Sequence, residues 1–383
     1  MDFLEADSEE SVADLIKQGQ PVEIIGGGSK LGLGCPVKAP RALSLAGIKG
    51  VTFYEPAELV MSVKAATPLA EIESLLAAEK QALAFEPPNL SRLLGVTSNH
   101  QTIGGVVATN LAGPRRCVAG SARDHVLGLR AVNGRGEIFS AGGRVVKNVT
   151  GYDLCKLLTG SFGTMAVFTE LTVKVLPAAE TEESLVIENL NAQSAVAVMC
   201  QAMGSSAGIS GAAYVPLPEG GSLTVLRLEG FGPSVASRRQ RLLVAVGDAH
   251  LWEEGRSNSW WRDLRDVAPL AGAGGQAVWK ISLAATQAPS LITQLKLVPG
   301  SRYFLDWGGA LMWLSVPCGD DAQAALVRSL LPDGAHAMLV VAPDAVRASQ
   351  PVFHPLPLAQ AAVEEKVRRS FDPERLLNPG RMN

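Results

Sequence analysis

The stretch "VEIIGGGSKLGLG", Val22 to Gly34, breaks a short apolar run into glycines with one lysine among them. Val22 to Ile25 reads as a buried strand. The glycines after it are free to take positive φ and to bring backbone N–H groups close to a ligand, and a concave turn of this kind suits an anion. The dinucleotide pattern G-x-G-x-x-G is not met, because Gly26 and Gly28 are followed by Leu31 where the third glycine belongs. The P-loop is not met either, since Lys30 follows Ser29 and Gly32 precedes Leu33. Taken alone, the loop is either an anion cradle or a glycine-rich turn without a ligand.

The whole chain narrows the choice. Its 383 residues leave room for about two domains, and 47% hydrophobic content is that of a packed protein. Lysine and arginine total 34 against 37 acidic residues, so the net charge of −3 carries no footprint for nucleic acid or an anionic membrane surface. The longest apolar runs fall short of the ~20 residues that span a bilayer, so no direct membrane insertion is expected. Cys35, Cys117, Cys155, Cys200 and Cys318 are scattered without a C-x-x-C pair, and His250, His336 and His354 show no H-x-x-E-H spacing. No metal or iron–sulfur site is therefore expected on this chain. Isolated cysteines and a start, "MDFLEADSEESVADL", that lacks the basic and then apolar segments of a signal peptide point to the cytoplasm.

Local signals predict mixed structure. Ser8 caps a helix over Glu9 to Lys17, with Val12, Leu15 and Ile16 on its apolar face. A second helix follows Thr67 as its cap and Pro68 in its first turn, burying Leu69, Ile72, Leu75 and Leu76. Asn133 and Gly134 turn one strand into another, and "FGTMAVFTELTVKVLP" is a long β-branched strand closed by Pro177. From about residue 181 the order strand, helix, strand, strand, helix recurs twice, which predicts a separate α+β domain: an antiparallel sheet with helices on one face.

Two further glycine segments, "TIGGVVATNLAGPRR" and "KNVTGYDLCKLLTGSFGT", join the first. Each also admits an ordinary structural reading, such as a helix stop at Gly160. In the order "IIGGGSKLGLG", "FEPP", "TIGGVVATN", "GPRR", "GSARDHVLG", "VVKNVTGYDLCKLLTGSFGT" and "NPGRM", the chain resembles the FAD-linked oxidase family of the vanillyl-alcohol-oxidase (PCMH) type, and within it the FAD-binding E subunits of glycolate oxidase. The likeness covers most of residues 1–178, recurs in "WWRDLR", "VWKISL" and "DWGGALMWL", and returns at the C terminus.

The resemblance implies an α+β fold: a two-part PCMH-type FAD-binding domain over 1–178, an α+β cap-like domain over 179–350, and a tail, 351–383, that returns to the first. It implies that Gly26, Gly27, Gly28, Ser29, Leu31 and Gly32 hold the FAD pyrophosphate, with Lys30 beside them. Thr102, Ile103, Gly104, Gly105, Thr109 and Asn110 then run beside the flavin ring, Gly163 and Val167 lie near the adenosine, and Asn378 reaches the flavin from the tail. Pro88, Gly113, Ser121 and Asp124 complete the expected FAD set. The first loop lacks a histidine, so FAD is expected to be held noncovalently.

The chain also departs from its relatives. His100 and Gln101 precede "TIGG" where small residues are usual, and His100 is either a proton-transfer group or a packing residue. The histidine and glutamate cluster that binds metal and substrate in relatives oxidising 2-hydroxy acids on their own is not present in the second domain. Arg115 and Arg116 are either surface charge or partners for a substrate carboxylate. Three functions stay open: a flavoprotein subunit of a multi-subunit oxidase converting glycolate to glyoxylate, an autonomous hydroxy-acid dehydrogenase with His100 as base, and a structural subunit that binds FAD without a redox role. The first requires a second flavoprotein subunit and an iron–sulfur subunit, and meets the inner membrane only peripherally, through that complex.

Overall fold

The computed structural model describes residues 2–96, 100–145, 151–272, 274–295 and 298–383. The chain opens with β1 (Asp2–Glu5), α1 (Glu9–Lys17), β2 (Val22–Ile25), β3 (Arg41–Ser44), β4 (Val51–Glu55) and β5 (Val60–Lys64). It continues through α2 (Leu69–Ala78), β6 (Gln81–Ala82), α3 (Ile103–Thr109), α4 (Arg116–Ala119) and α5 (Ala122–His125). Then come β7 (Val126–Asn133), β8 (Ile138–Gly142), α6 (Leu154–Leu158), β9 (Ala166–Lys174) and β10 (Leu176–Pro177).

These elements build a three-stranded parallel sheet, β1-β3-β2, beside a five-stranded antiparallel sheet, β4-β5-β9-β7-β8. Ser8 caps α1 through a reciprocal capping box with Ser11, as its position predicts. The cap of α2 differs from expectation. Pro68 occupies the cap position, and the Thr67 hydroxyl instead donates to the Lys64 carbonyl at 2.6 Å. Leu75 is 41% exposed, so only Leu69, Ile72 and Leu76 form the buried face of α2. The long strand breaks after Lys174, and Pro177 sits in the two-residue β10.

The remainder runs β11 (Thr181–Glu188), α7 (Ala192–Met203), β12 (Gly211–Pro216), β13 (Ser222–Gly230), α8 (Gly232–Val246), β14 (His250–Trp252) and α9 (Glu254–Arg265). Next are β15 (Gln276–Ser282), α10 (Ala288–Leu295), β16 (Arg302–Asp306), β17 (Leu311–Pro317), α11 (Ala324–Ser329) and β18 (His336–Val341). Two helices close the chain, α12 (Asp344–Ser349) and α13 (Leu358–Phe371). The eight strands form one antiparallel sheet in the order β14-β11-β13-β12-β16-β17-β15-β18. That order is palindromic: each half is a βαββαβ unit, and the two meet edge to edge at β12 and β16.

Side-chain alternation splits this sheet between two cores. Trp279 and Ile281 of β15 join the core under α7, α8, α10 and α11, while Val278 faces the first half of the chain. The expectation of helices on one face holds for those four, but α9 lies on the opposite face. Its Trp261 and Leu264 pack with Phe304 and with Leu33, Leu90, Leu93 and Leu111 of the first half. Burying large apolar side chains across this seam stabilises the pairing of the halves by about 1.5–3 kcal/mol per fully buried residue.

Candidate cofactor cleft and interdomain seam

A cleft of about 740 Å³ opens at the C-terminal end of β2. Its rim is Gly26, Gly27, Gly28, Ser29, Lys30 and Leu31. The facing wall is Thr102, Gly104, Gly105 and Thr109 on α3, and the far end is Gly163, Val167 and Asn378. Thirteen of the expected cofactor residues therefore line one cavity. The "KNVT" part of the third glycine segment lies outside the described residues.

The three leading glycines serve different needs. A Cβ on Gly26 would sit 2.7 Å from the Thr102 hydroxyl, and one on Gly27 would fall 1.6 Å from the His100 carbonyl oxygen, so both are required by the close approach of the two loops. Gly28 has φ +74°, and its Cβ would meet nothing nearer than Leu31 at 4.0 Å. Only at Gly28 does the glycine leave free space, and that space belongs to the cleft.

Two cations line the cleft, Lys30 and Arg381, and Lys30 is the one without a carboxylate partner among the described residues. Its Nζ donates to Gln101 Oε1 at 2.7 Å, and among the described residues it forms no ion pair with a carboxylate. Burial lowers its pKa to about 7. Gln101, flagged in the sequence with His100, is thus the buried partner of Lys30, whereas the His100 side chain is exposed and does not line the cleft.

Asn378 works as a staple. Its Oδ1 accepts from the Ile24 amide at 2.8 Å, and its Nδ2 donates to the Phe162 carbonyl at 2.8 Å, tying the tail to two cleft walls. Arg381 reinforces the tie: its guanidinium donates to the carbonyls of Leu31 at 2.8 Å and Leu33 at 2.9 Å, and pairs with Glu23 at 2.6 Å. Arg381 stands in "NPGRM" three residues after Asn378, so its position was readable while its role was not. Apolar residues complete the lining, among them Ile24, Leu45, Ala108 and Phe168. Sequence reading missed these because each is typical of any core position.

Seven expected cofactor residues stand elsewhere. Gly32 and Ile103 adjoin the cleft without lining it, and Ile103 is fully buried in the core. Asn110 ends α3 in the left-handed region, at φ +49°, and its Oδ1 accepts from the Arg123 amide. Ser121 and Asp124 form the capping box of α5. Pro88 is buried. Gly113 accepts from Trp307 Nε1 at 3.0 Å, and a Cβ there would lie 2.5 Å from the Glu86 carbonyl oxygen.

Gly113 leads into the seam between the halves. Arg227 of β13, 1% exposed, donates from both terminal nitrogens to the two oxygens of Glu86, at 2.9 and 3.0 Å. Its Nε lies 3.3 Å from Glu229, and its guanidinium stacks 4.7 Å from the Trp261 ring centre. Burial pushes the Arg227 pKa down, but the Glu86 and Glu229 carboxylates outweigh it and the net shift is upward. Burial likewise raises Glu182, 3.9 Å from Arg227, to about 7. Arg115 is bound into the same network: its amide donates to Glu86 at 3.0 Å and its Nε lies 3.6 Å from Glu229. Arg116 lies further out and pairs with Asp124 at 3.6 Å. Among the described residues no group of three His, Cys, Asp or Glu is arranged to hold a metal ion, and no helix is long and apolar enough to cross a membrane.

Comparison with known proteins agrees with this geometry. Residues 3–142 match the family described as FAD binding domain. The chain is 34% identical over 374 residues to the glycolate oxidase subunit GlcE of Escherichia coli, covering 97% of this chain and 95% of that protein. It is 33% identical to the glycolate oxidase subunit GlcD of Bacillus subtilis over 45% of this chain and 36% of that one. The solved structure of p-cresol methylhydroxylase with substrate bound superposes with a TM-score of 0.74 at 14% identity, covering 99% of this chain and 88% of that one. An alkyldihydroxyacetonephosphate synthase gives a TM-score of 0.68 at 15% identity over 98% of this chain and 75% of the other.

The cleft fits FAD on its own features: an apolar length, a backbone-lined turn open at Gly28, and a lysine without a carboxylate partner among the described residues. The fold is that of the PCMH-type FAD oxidases, and the chain belongs to the GlcE family of FAD-linked glycolate oxidase subunits, oxidoreductases whose cofactor is FAD.

Proposed function

We propose that this chain is the FAD-holding subunit of a multi-subunit glycolate oxidase and acts with a second flavoprotein subunit and an iron–sulfur subunit. The observation that carries the reading is end-to-end similarity to GlcE, together with a shorter match to GlcD that is confined to under half of this chain. That pattern supports two related chains that are alike over part of their length and differ in the rest.

In this reading Gly28, Ser29 and Lys30 receive the pyrophosphate, the former two through backbone N–H groups and Lys30 through its ammonium. Thr102 and Thr109 with Gly104 and Gly105 border the flavin side of the cleft. Gly163 and Val167 border the adenosine side. Asn378 and Arg381 hold the walls in register rather than gripping the cofactor. Bound there, FAD supplies the acceptor for the two electrons of alcohol oxidation. His100 is exposed, and Arg115 is engaged by Glu86 and Glu229, which favours the subunit reading over an autonomous dehydrogenase with His100 as base.

The test is purification of the chain alone and with its co-expressed partners, followed by glycolate oxidation with a dye acceptor and by absorbance spectra with and without glycolate. The expected result is a flavin spectrum from the chain alone, with turnover only in the assembled complex. A rate from the isolated chain near that of the complex would establish the autonomous enzyme. A flavin that stays oxidised while the complex turns over would establish the structural subunit.

A further inference from the structure

We infer that Phe353, in the segment that follows α12, is a positioning residue for the cofactor: acting through Phe162, it holds the turn between α6 and β9 in the bent form that walls the cleft. The inference rests on FAD occupying this cleft, as proposed above.

The turn is conformationally demanding. Gly160, Phe162 and Gly163 all have positive φ, at +87°, +53° and +69°. Glycine takes this region freely, but a phenylalanine does so only against the clash of its Cβ with the backbone. Phe162 nevertheless stands beside Gly163 in the cleft lining. Such a conformation persists where the surroundings over-determine it, and here partners from distant parts of the chain do so. The Phe162 amide donates to the Ala108 carbonyl of α3 at 2.8 Å, and its carbonyl accepts from Asn378 Nδ2 at 2.8 Å. These bonds fix the backbone. The ring is met edge-on by Phe353, with centroids 5.1 Å apart and planes at 83°.

Phe353 is itself anchored on the second sheet. Its segment runs beside β18, where the Leu339 amide donates to the Val352 carbonyl at 2.8 Å and the Val352 side chain is fully buried. Arg328 of α11 donates to the Phe353 carbonyl at 3.2 Å and also to that of Pro351. Just upstream, Arg347 of α12 donates at 2.5 Å to the carbonyl of Gly34, at the end of the first glycine loop. The Phe353 ring thus joins the edge of the second sheet to a wall of the cleft.

Ordinary packing accounts for two half-buried rings in contact. It does not account for a ring at position 162, where glycine or asparagine would take the left-handed turn at less cost. The contact between the rings offsets that cost and ties the shape of the wall to segment 351–354. By linkage, a cofactor that requires the bent turn also favours the docked segment.

The test is a double-mutant cycle read as FAD affinity, by fluorescence titration of the cofactor-free full chain. Phe353→Ala should weaken FAD binding by about tenfold, and Phe353→Tyr, which keeps the ring, should stay within about threefold. In the Phe162→Asn background the left-handed turn needs no ring, and adding Phe353→Ala should change affinity by less than about twofold. A loss of the same size in both backgrounds, as a merely structural role would give, or no loss in either, overturns the positioning role. The wild type supplies a second reading that needs no variant: FAD should slow amide hydrogen exchange at Phe162 and in the peptide from Gln350 to His354 together. Protection of Phe162 with that peptide unchanged overturns the coupling. FAD lost from Gly28→Glu but indifferent to Phe353→Ala would leave the proposed cofactor seat standing and reject the role of Phe353. A Phe162-dependent loss in Phe353→Ala, with normal binding by Gly28→Glu, would do the reverse.

Discussion

Backbone builds the cleft beneath Gly26 to Gly28, whereas charged side chains build the seam where Arg227 meets Glu86. In the cleft, glycines let two loops touch and leave one opening at Gly28, and Lys30 has no carboxylate partner there among the described residues. In the seam, an arginine with 1% exposure is answered by carboxylates from both halves of the chain. The contrast separates a region suited to receive a ligand from one that holds the two halves of the chain in register.

The contrast can be broken most severely at Gly28. Gly28→Glu adds a side chain at φ +74° and a negative charge where the opening lies. It should cost several kcal/mol of cofactor binding, enough to empty the cleft. Flavin absorbance per protein after gel filtration reads this directly, and normal occupancy would move the pyrophosphate elsewhere. In the seam, Arg227→Met leaves Glu86, Glu182 and Glu229 without their shared cation and should lower unfolding stability by about 3–5 kcal/mol in denaturant titrations. If the seam is only surface charge, the loss will be under about 1 kcal/mol.

A milder test uses pH. Lys30 titrates near pH 7 in the empty cleft, and an anionic cofactor favours its charged form. FAD affinity should therefore fall as pH rises above 7, by up to about tenfold per pH unit, and Lys30→Met should bind more weakly with that slope removed. Stability of the cofactor-free protein has the opposite sign: the folded pKa lies below the unfolded 10.5, so the unfolded chain holds more protons between these values and stability from this group rises with pH. Fluorescence titrations of FAD at several pH values, set beside denaturant titrations of the cofactor-free protein, distinguish the two. The smallest effect is expected from Asn378→Ala, which removes two hydrogen bonds from the staple. It should cost about 1–2 kcal/mol of stability and reduce FAD retention only indirectly, by loosening the walls.

The cleft was legible in sequence because its requirements are local. Positive φ, close loop approach and an N-terminal turn on α3 demand glycine, serine and threonine at fixed spacing, and the "GGGSK" and "TIGG" segments show them. The βαββαβ repeat was legible for the same reason, since apolar strands and polar helices alternate along the chain. What escaped was anything made by distant partners. Glu86 and Arg227 are 141 residues apart, and neither residue type signals the other. Asp124 sat in a recognisable segment, but its work is to cap α5, which only the local hydrogen bonds disclose. The position of α9 on the far side of the sheet was likewise hidden: its polar sequence suits any solvated helix, and only the packing of Trp261 and Leu264 reveals the face it buries.

The most direct test of the account is the cofactor itself. The purified chain is precipitated with acid, and flavin is measured in the supernatant and in the pellet, for the wild type and for Gly28→Glu. One FAD per wild-type chain, released entirely to the supernatant, is expected, and none from the mutant. Flavin retained in the pellet, or equal FAD from the mutant, would contradict a noncovalent cofactor seated on the Gly28 turn.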